Sequence, residues 1–215
     1  MNTPTDTTAT LALRSDLQII AEWIQPGNHI LDLGCGDGSL MGYLARTKSV
    51  TGYGIEIEDH YIPQCIQNGV NVLQMDLDRG LTEFNDNSFD QVILSMALQT
   101  MRYPHLLMEE MLRVGREGII TFPNFGHWKV RWYLAGRGRM PVSEALPNYW
   151  YNTPNIHLCT LRDFEELCRQ HNFQIQERRT LNHHHETGLG LHLLPNLLGE
   201  IVLYRFTRLP DNIPR

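Results

Sequence analysis

No apolar run in this 215-residue chain approaches the roughly 20 residues that a membrane-crossing helix needs, so no membrane association is expected. The opening stretch, Met1-Asn2-Thr3-Pro4-Thr5-Asp6-Thr7-Thr8, has neither a basic region nor an apolar core, and no secretory signal is expected. Cysteine is scarce. Cys35, Cys65, Cys159 and Cys168 form no CxxC pair and are too few for a disulfide scaffold, so reduced thiols in a cytoplasmic protein are expected. Cations are in deficit: 18 Lys and Arg stand against 24 Asp and Glu, a net charge of -6, the wrong sign for a dedicated duplex nucleic-acid binder. What remains is ordinary globular usage, with 42% hydrophobic and 20% charged residues. A chain of this length buries roughly 70% of the surface it exposes when unfolded.

The Thr-rich residues 1–12 are expected to fray, with one α/β domain over 13–207 and a polar tail over 208–215. Leu13, Leu17, Ile20 and Ile24 recur at helical spacing until Pro26-Gly27 stops the helix. Strands and helices then alternate. His29 to Leu33, Val50 to Ile57, Val70 to Gln74, Phe89 to Leu94 and Gly118 to Phe122 read as strands. Helical stretches lie over Leu40 to Ala45, Tyr61 to Asn68 and Pro104 to Val114, the last ended by Gly115. This rhythm implies a doubly wound, mostly parallel sheet with right-handed crossovers and helices on both faces. The rhythm breaks after Phe122. Residues 123–158, rich in aromatics, Gly, Pro and Arg, read as an insertion or cap over the sheet edge. Thr160, with Asp163 three residues on, should cap a further helix. Phe173 to Ile175 and Ile201 to Phe206 read as two last strands.

The most informative stretch is Ile30-Leu31-Asp32-Leu33-Gly34-Cys35-Gly36-Asp37-Gly38. A strand ends, glycines allow a tight turn, and a helix begins, so free N–H groups and the positive helix end should face the crevice above the strand tips. Ser39 stands where the dinucleotide pattern GxGxxG needs its third glycine, and the glycines fall instead at 34, 36 and 38. No Gly-Lys-Ser/Thr sequence follows, which excludes a Walker-type site.

The spacing DxGxGxG resembles motif I of class I S-adenosylmethionine (SAM) dependent methyltransferases, and the resemblance implies their seven-stranded Rossmann-like sheet. It places the cofactor against Asp32, Gly34, Cys35, Gly36 and Gly38. Glu56, with Ile57 beside it, matches the acid that holds both ribose hydroxyls, a diol suited to a carboxylate's two acceptors. Asp76 matches the acid beside the adenine amino group, with Leu77 next to the ring. Ser95 and Met96 match the methionine end, and Asp32 would orient the ammonium. The cofactor implied is SAM, or S-adenosylhomocysteine (SAH) as bound product. Methyl transfer from a sulfonium needs alignment and exclusion of water more than acid catalysis, so no catalytic dyad need appear. The Asn-Pro-Pro-Tyr signature of amine methylation is absent after the fourth strand, which disfavours DNA adenine and protein glutamine as acceptors.

Asn124, His127 and His157 are the candidate catalytic side chains, each equally readable as structural. The basic and aromatic residues from Asn124 to Trp132 suit an anionic small substrate, a partner protein or single-stranded RNA, or simply cap an apolar edge. The acidic total weighs against nucleic acid. His183, His184 and His185 are consecutive and read as a solvated loop, so no metal site is expected.

With the first helix, motif I, Leu94 to Thr100, Phe122 to Trp128 and Trp150 to His157 taken together, the chain resembles the methionine biosynthesis protein MetW family. That resemblance implies a role beside a homoserine O-acyltransferase as partner, whose activity such proteins support. A stand-alone methyltransferase acting on a small-molecule acceptor is the alternative. The resemblance does not establish methyl transfer.

Overall fold

The computed structural model describes residues 13–143, 145–182, 191 and 193–209. Three pairs of adjacent apolar residues fix its layers. Ile30 and Leu31 on β1 (His29–Leu33), Ile93 and Leu94 on β4 (Phe89–Ser95), and Ile119 and Ile120 on β5 (Gly115–Pro123) point to opposite faces, because strand side chains alternate. Both faces must therefore be covered. One is covered by α1 (Ser15–Trp23) and α2 (Ser39–Lys48), which pack Ile20, Ile24, Leu40 and Leu44 against Ile30, Ile93 and Ile119. The other is covered by α4 (Pro104–Val114) and α6 (Leu161–Gln170), whose Met108, Met111 and Phe164 meet Leu31, Leu94 and Phe122.

The remaining strands are β2 (Thr51–Glu56), β3 (Val72–Gln74), β6 (Phe173–Leu181) and β7 (Ile201–Arg208). The sheet has seven strands in the order β3-β2-β1-β4-β5-β7-β6. The first five pair in parallel, and β7 runs antiparallel between β5 and β6. Chain order reverses between β1 and β4, so the connections leaving their carboxyl ends part in opposite directions and open a crevice there. The short helix α3 (Ile62–Gln67) returns the chain from β2 to β3.

Three elements show the larger differences from the sequence reading. β6 runs on to Leu181 instead of ending at Ile175, and ion pairs within the strand, to β7 and to α6 stand along it in place of apolar contacts. Glu177 meets Arg179 at 2.8 Å and Arg205 at 3.6 Å, and Arg178 meets Glu165 at 2.7 Å. β5 starts at Gly115 directly after α4, a junction that only glycine fits, since a Cβ there would lie 2.4 Å from Val92 Cγ2. Within 123–158, α5 (Trp128–Arg137) is a full helix that buries none of its residues. The cap on α6 is as expected: Thr160 Oγ1 accepts from the Asp163 N–H, and Asp163 Oδ2 accepts from the Thr160 N–H. A last short helix, α7 (Pro195–Leu198), precedes β7. Residues 1–12, the His183 to His185 run and residues 210–215 lie outside the described residues.

Candidate functional site

The turn after β1 requires its glycines. Gly34, Gly36 and Gly38 have φ of 68°, 57° and 74°, the left-handed region that side chains disfavour. The loop nevertheless offers fewer free amides than its sequence suggests. Gly34 and Cys35 both donate to the Ile55 carbonyl, at 2.8 and 2.9 Å, and Gly38 donates to the Cys35 carbonyl at 3.0 Å. Gly36 donates to Glu56 Oε2 at 2.8 Å, and Ser39 donates to Asp37 Oδ1 at 2.9 Å. The expectation of an open N–H cradle is thereby corrected. The protein spends these donors internally and sets the Asp37 carboxylate at the N-terminal end of α2, where a phosphate would otherwise sit. A pyrophosphate would meet a like charge.

A cavity of about 400 Å³ opens above this loop, at the carboxyl ends of β1 and β4. Asp32, Gly34, Cys35, Gly36 and Ser95 line it. Asp32 is 2% exposed, and its carboxylate has no hydrogen-bond donor among the described residues. Burial pushes its pKa up to about 7; the neighbouring Glu56 charge adds to this, and Arg14 opposes it. Glu56, also buried, is held differently: Oε1 accepts from the Ile57 and Glu58 amides at 2.8 and 2.9 Å, while Oε2 takes Gly36. Three backbone N–H groups thus fix its orientation against the glycine loop. Oε1 is filled by its two donors, and Oε2, with one, keeps accepting capacity.

Other expected site residues lie around or beyond this cavity. Gly38 is beneath the loop, where a Cβ would press on Val70 and Cys65. Met96 has φ 58° and donates its N–H to the Thr121 carbonyl and Oγ1, at 2.9 and 3.0 Å, so β5 holds the strained turn after β4. Ile57 is exposed at the end of β2. Asp76 follows β3 and caps the 3-10 turn Leu77–Arg79, accepting from the Asp78 N–H at 3.1 Å. Leu77 lines a separate cavity of about 450 Å³ with Tyr103, Leu106 and Arg113.

Asn124, His127 and His157 do not line the cavity above the glycine loop. Asn124 is buried, and four backbone groups occupy its amide: Nδ2 donates to the Asn196 and Gly199 carbonyls, and Oδ1 accepts from the Gly126 and Leu161 N–H groups. It ties β5 to α6 and α7. His127 lies 3.7 Å from Glu200, beside a smaller cavity of about 180 Å³. His157 is exposed; its N–H donates to the Gln99 carbonyl, and its ring nitrogen stands 3.3 Å from the Arg102 carbonyl. Among the described residues no cluster of His, Cys, Asp and Glu is arranged to hold a metal ion. The four cysteines are free thiols, with Cys35 and Cys65 sulfurs 3.8 Å apart under the loop and burial raising both pKa values.

Sequence reasoning missed Arg14, Leu17 and Tyr61, which all line the cavity. The available signal was Asp16, an acid among the apolar positions Leu13, Leu17, Ile19 and Ile20. It is 2% exposed and paired with Arg14.

Residues 14–206 match the family model described as methionine biosynthesis protein MetW. The bifunctional methionine biosynthesis protein MetXA/MetW of Rhodopirellula baltica is 36% identical over 176 residues, which is 78% of this chain. The chain spans 28% of that relative's length. Among solved structures, a SAM-dependent methyltransferase from Mesorhizobium loti superposes with a TM-score of 0.65 at 16% identity, over 91% of this chain and 98% of the other. A SAM-dependent methyltransferase from Thermotoga maritima, possibly a histamine N-methyltransferase, gives 0.64 at 18%, over 91% and 88%. The magnesium protoporphyrin IX methyltransferase of Synechocystis, with SAH bound, gives 0.61 at 16%, over 90% and 82%. At such identities the likeness is one of fold, the Rossmann-like sheet of SAM-dependent methyltransferases.

Proposed function

Because this chain belongs to the MetW family of methionine biosynthesis proteins, we propose that it binds SAM or SAH in the crevice and supports a homoserine O-acyltransferase in the cytoplasm. The observation that carries the cofactor assignment is the buried Asp32 carboxylate, which opens on the cavity with no donor from the described residues. Such a group calls for a cation. In this reading the ligand's ammonium pairs with Asp32, and Glu56 accepts from the ribose hydroxyls. Asp76 meets the adenine amino group with Ile57 and Leu77 along the ring, and Ser95 and Met96 border the methionine part. The internally bonded loop amides and Asp37 favour a ligand without phosphate. When bound, SAM supplies an electrophilic methyl carbon on a sulfonium. The chain's own groups bind and orient it and, through Leu13 and Leu17 at the cavity wall, limit water.

Support for the partner comes from two directions. The Rhodopirellula baltica relative carries MetXA and MetW in one polypeptide. Trp132, Trp150 and Tyr151 are 75%, 74% and 68% exposed, in a segment with four Lys and Arg against one Glu. Trp, Tyr and Arg are the residues that anchor protein interfaces most often. Cytoplasmic residence is consistent with free thiols and with the lack, among the described residues, of a helix long and apolar enough to cross a membrane.

The test is co-purification with the acyltransferase from the native cell, together with the acyltransferase rate with and without this protein. Association and a rate that falls when this protein is withheld are expected. If no association occurs and label from the SAM methyl group instead passes to a metabolite, the stand-alone methyltransferase replaces this reading.

A further inference from the structure

Two thiols meet beneath the glycine loop, and the function proposed above uses neither sulfur. Cys35, in the turn after β1, and Cys65, on α3, are 30 residues apart in the chain, yet their sulfurs are 3.8 Å apart. Glycines keep the space around them. A Cβ at Gly54 would lie 2.5 Å from Cys35 Sγ, and one at Gly38 would lie 3.3 Å from Cys65 Sγ. The two thiols differ in access: Cys35 is half-buried and lines the cavity, whereas Cys65 is 0% exposed. The Cys65 thiol donates to the Gly36 carbonyl at 3.0 Å, and the Gly36 N–H donates to Glu56 Oε2 at 2.8 Å. A single residue, Gly36, therefore joins the thiol pair to the acid at the end of β2. Cys159 and Cys168 pack on the opposite face of the sheet, which separates them from this pair.

We propose that Cys35 and Cys65 are a site of reversible oxidation, joined as a disulfide by hydroperoxides, and that the link weakens the cofactor site; the second half rests on the cofactor reading above. A disulfide of this kind in a reducing compartment is transient and serves sensing. A hydroperoxide reaches Cys35 through the cavity. Cys35 gives its proton to water, and its sulfur attacks one peroxide oxygen. The O–O bond breaks, an alcohol (water, for hydrogen peroxide) leaves, and a sulfenic acid remains. The Cys65 sulfur, giving up its proton, then displaces hydroxide from the Cys35 sulfur, so the S–S bond forms and water leaves. Two hydrogens and two electrons have passed from the thiols to the peroxide. Burial, with the Asp32 charge beside it, holds Cys35 as a thiol, so thiolate is scarce and the conversion is slow. An S–S bond of about 2.0 Å draws the sulfurs together and removes the S–H that Cys65 gives to Gly36. Gly34 and Gly36 flank Cys35, and the space beside Gly36 is open, so the turn takes up the movement. The Gly36 bond to Glu56 moves with it.

The experiment treats the reduced full chain with hydrogen peroxide and maps its peptides by mass spectrometry without reductant. A peptide pair joined through Cys35 and Cys65 is expected, and dithiothreitol should release it. SAH affinity by calorimetry should fall about tenfold in the linked form and return on reduction. Bound SAH must then oppose the link by the same factor, which raises the pair's reduction potential in a glutathione buffer by about 30 mV. Cys65→Ser should form no link. In that variant peroxide should carry Cys35 on to the sulfinic acid, which dithiothreitol does not restore. If Cys65→Ser does not fold, the wild-type map and its reversal decide the matter. No link between Cys35 and Cys65, or links only at Cys159, at Cys168 or between chains, overturns the site. A link that leaves SAH affinity unchanged overturns its effect on the cofactor. If the reduced protein binds no SAH, the cofactor reading fails. The thiol pair is then judged by the map and by hydrogen exchange of the glycine-loop amides, where faster exchange in the linked form upholds it and unchanged exchange overturns it.

Discussion

Cofactor affinity should rise with pH through neutrality because Asp32 must ionise to hold a cation. The group titrates in the folded protein at about 7 against an ordinary 3.8, with burial as the main cause. A difference of that size corresponds to roughly 4 kcal/mol between protonated and ionised forms, at about 1.4 kcal/mol per pH unit. Its folded-state value is raised, so the stabilisation of the protonated form is complete at acid pH and is lost as pH climbs from about 4 through about 7. A ligand ammonium beside Asp32 pulls the value back down, so binding near neutrality releases a proton. Between pH 6.0 and 7.5 the ionised fraction of the free protein grows enough to raise affinity roughly five- to tenfold. Calorimetry with SAM at both values, in buffers of low and high ionisation enthalpy, measures affinity and proton release together. Asp32→Asn should bind at least tenfold more weakly with no pH slope, and should melt higher than the wild-type apo-protein at pH 7.5. A pH-independent wild-type affinity with no proton released, or Asp32→Asn that binds as well as wild type, would refute the reasoning.

Glu56→Gln should weaken SAH by about tenfold or more, since one oxygen becomes an NH2 facing either backbone donors or the ribose; undiminished affinity in calorimetry removes the ribose assignment. Gly38→Ala should cost roughly 1–3 kcal/mol in a denaturant titration, because φ is 74° and the new Cβ would sit 3.0 Å from Val70 Cγ2 and 3.2 Å from Cys65 Cα. A midpoint shift near zero would mean that the loop relaxes freely. Trp132→Ala with Trp150→Ala should leave stability within about 0.5 kcal/mol, given their exposure, while lowering acyltransferase capture by about tenfold or more. Equal capture by wild type and the double variant would locate the partner's footing elsewhere.

What could be read from the sequence, and what could not, divides along burial. β1, β4 and β5 are central strands covered on both faces, so their near-continuous apolar runs stand out. β6 is an edge strand whose outer half is held by Glu177, Arg178 and Arg179, and apolar patterning ends before it does. α5 buries none of its residues, so no core contact marks it. The same contrast holds at the site. Asp32 and Glu56 were legible because strand ends and a glycine turn bracket them locally. Arg14 was not, because it reaches the cavity from another element and its partner Asp16 reads as a misplaced polar residue on an apolar helix. Asn124 reads as chemically capable by residue type alone. Only the fold brings Asn196, Gly199, Gly126 and Leu161 to its amide and uses it up.

The crevice concentrates negative charge beyond what the fold needs. Asp16, Asp32 and Glu56 are all buried within reach of the glycine loop or the β4 end, Asp37 stands just before α2, and Arg14 is the cation beside them at the rim. Buried acids of one sign are costly, and a hydrophobic or neutral replacement at Asp32 would relieve that cost. A site that keeps the cost gains only when a cation arrives to offset it. Binding to the folded state alone then adds RT ln(1 + [L]/Kd), about 2.7 kcal/mol at a hundredfold excess over Kd. A sulfonium with an ammonium brings two positive charges into this space, whereas its demethylated product brings one. If the cofactor proposed above binds here, this charge pattern should favour the methylated form over its product, and calorimetry with both compounds checks it.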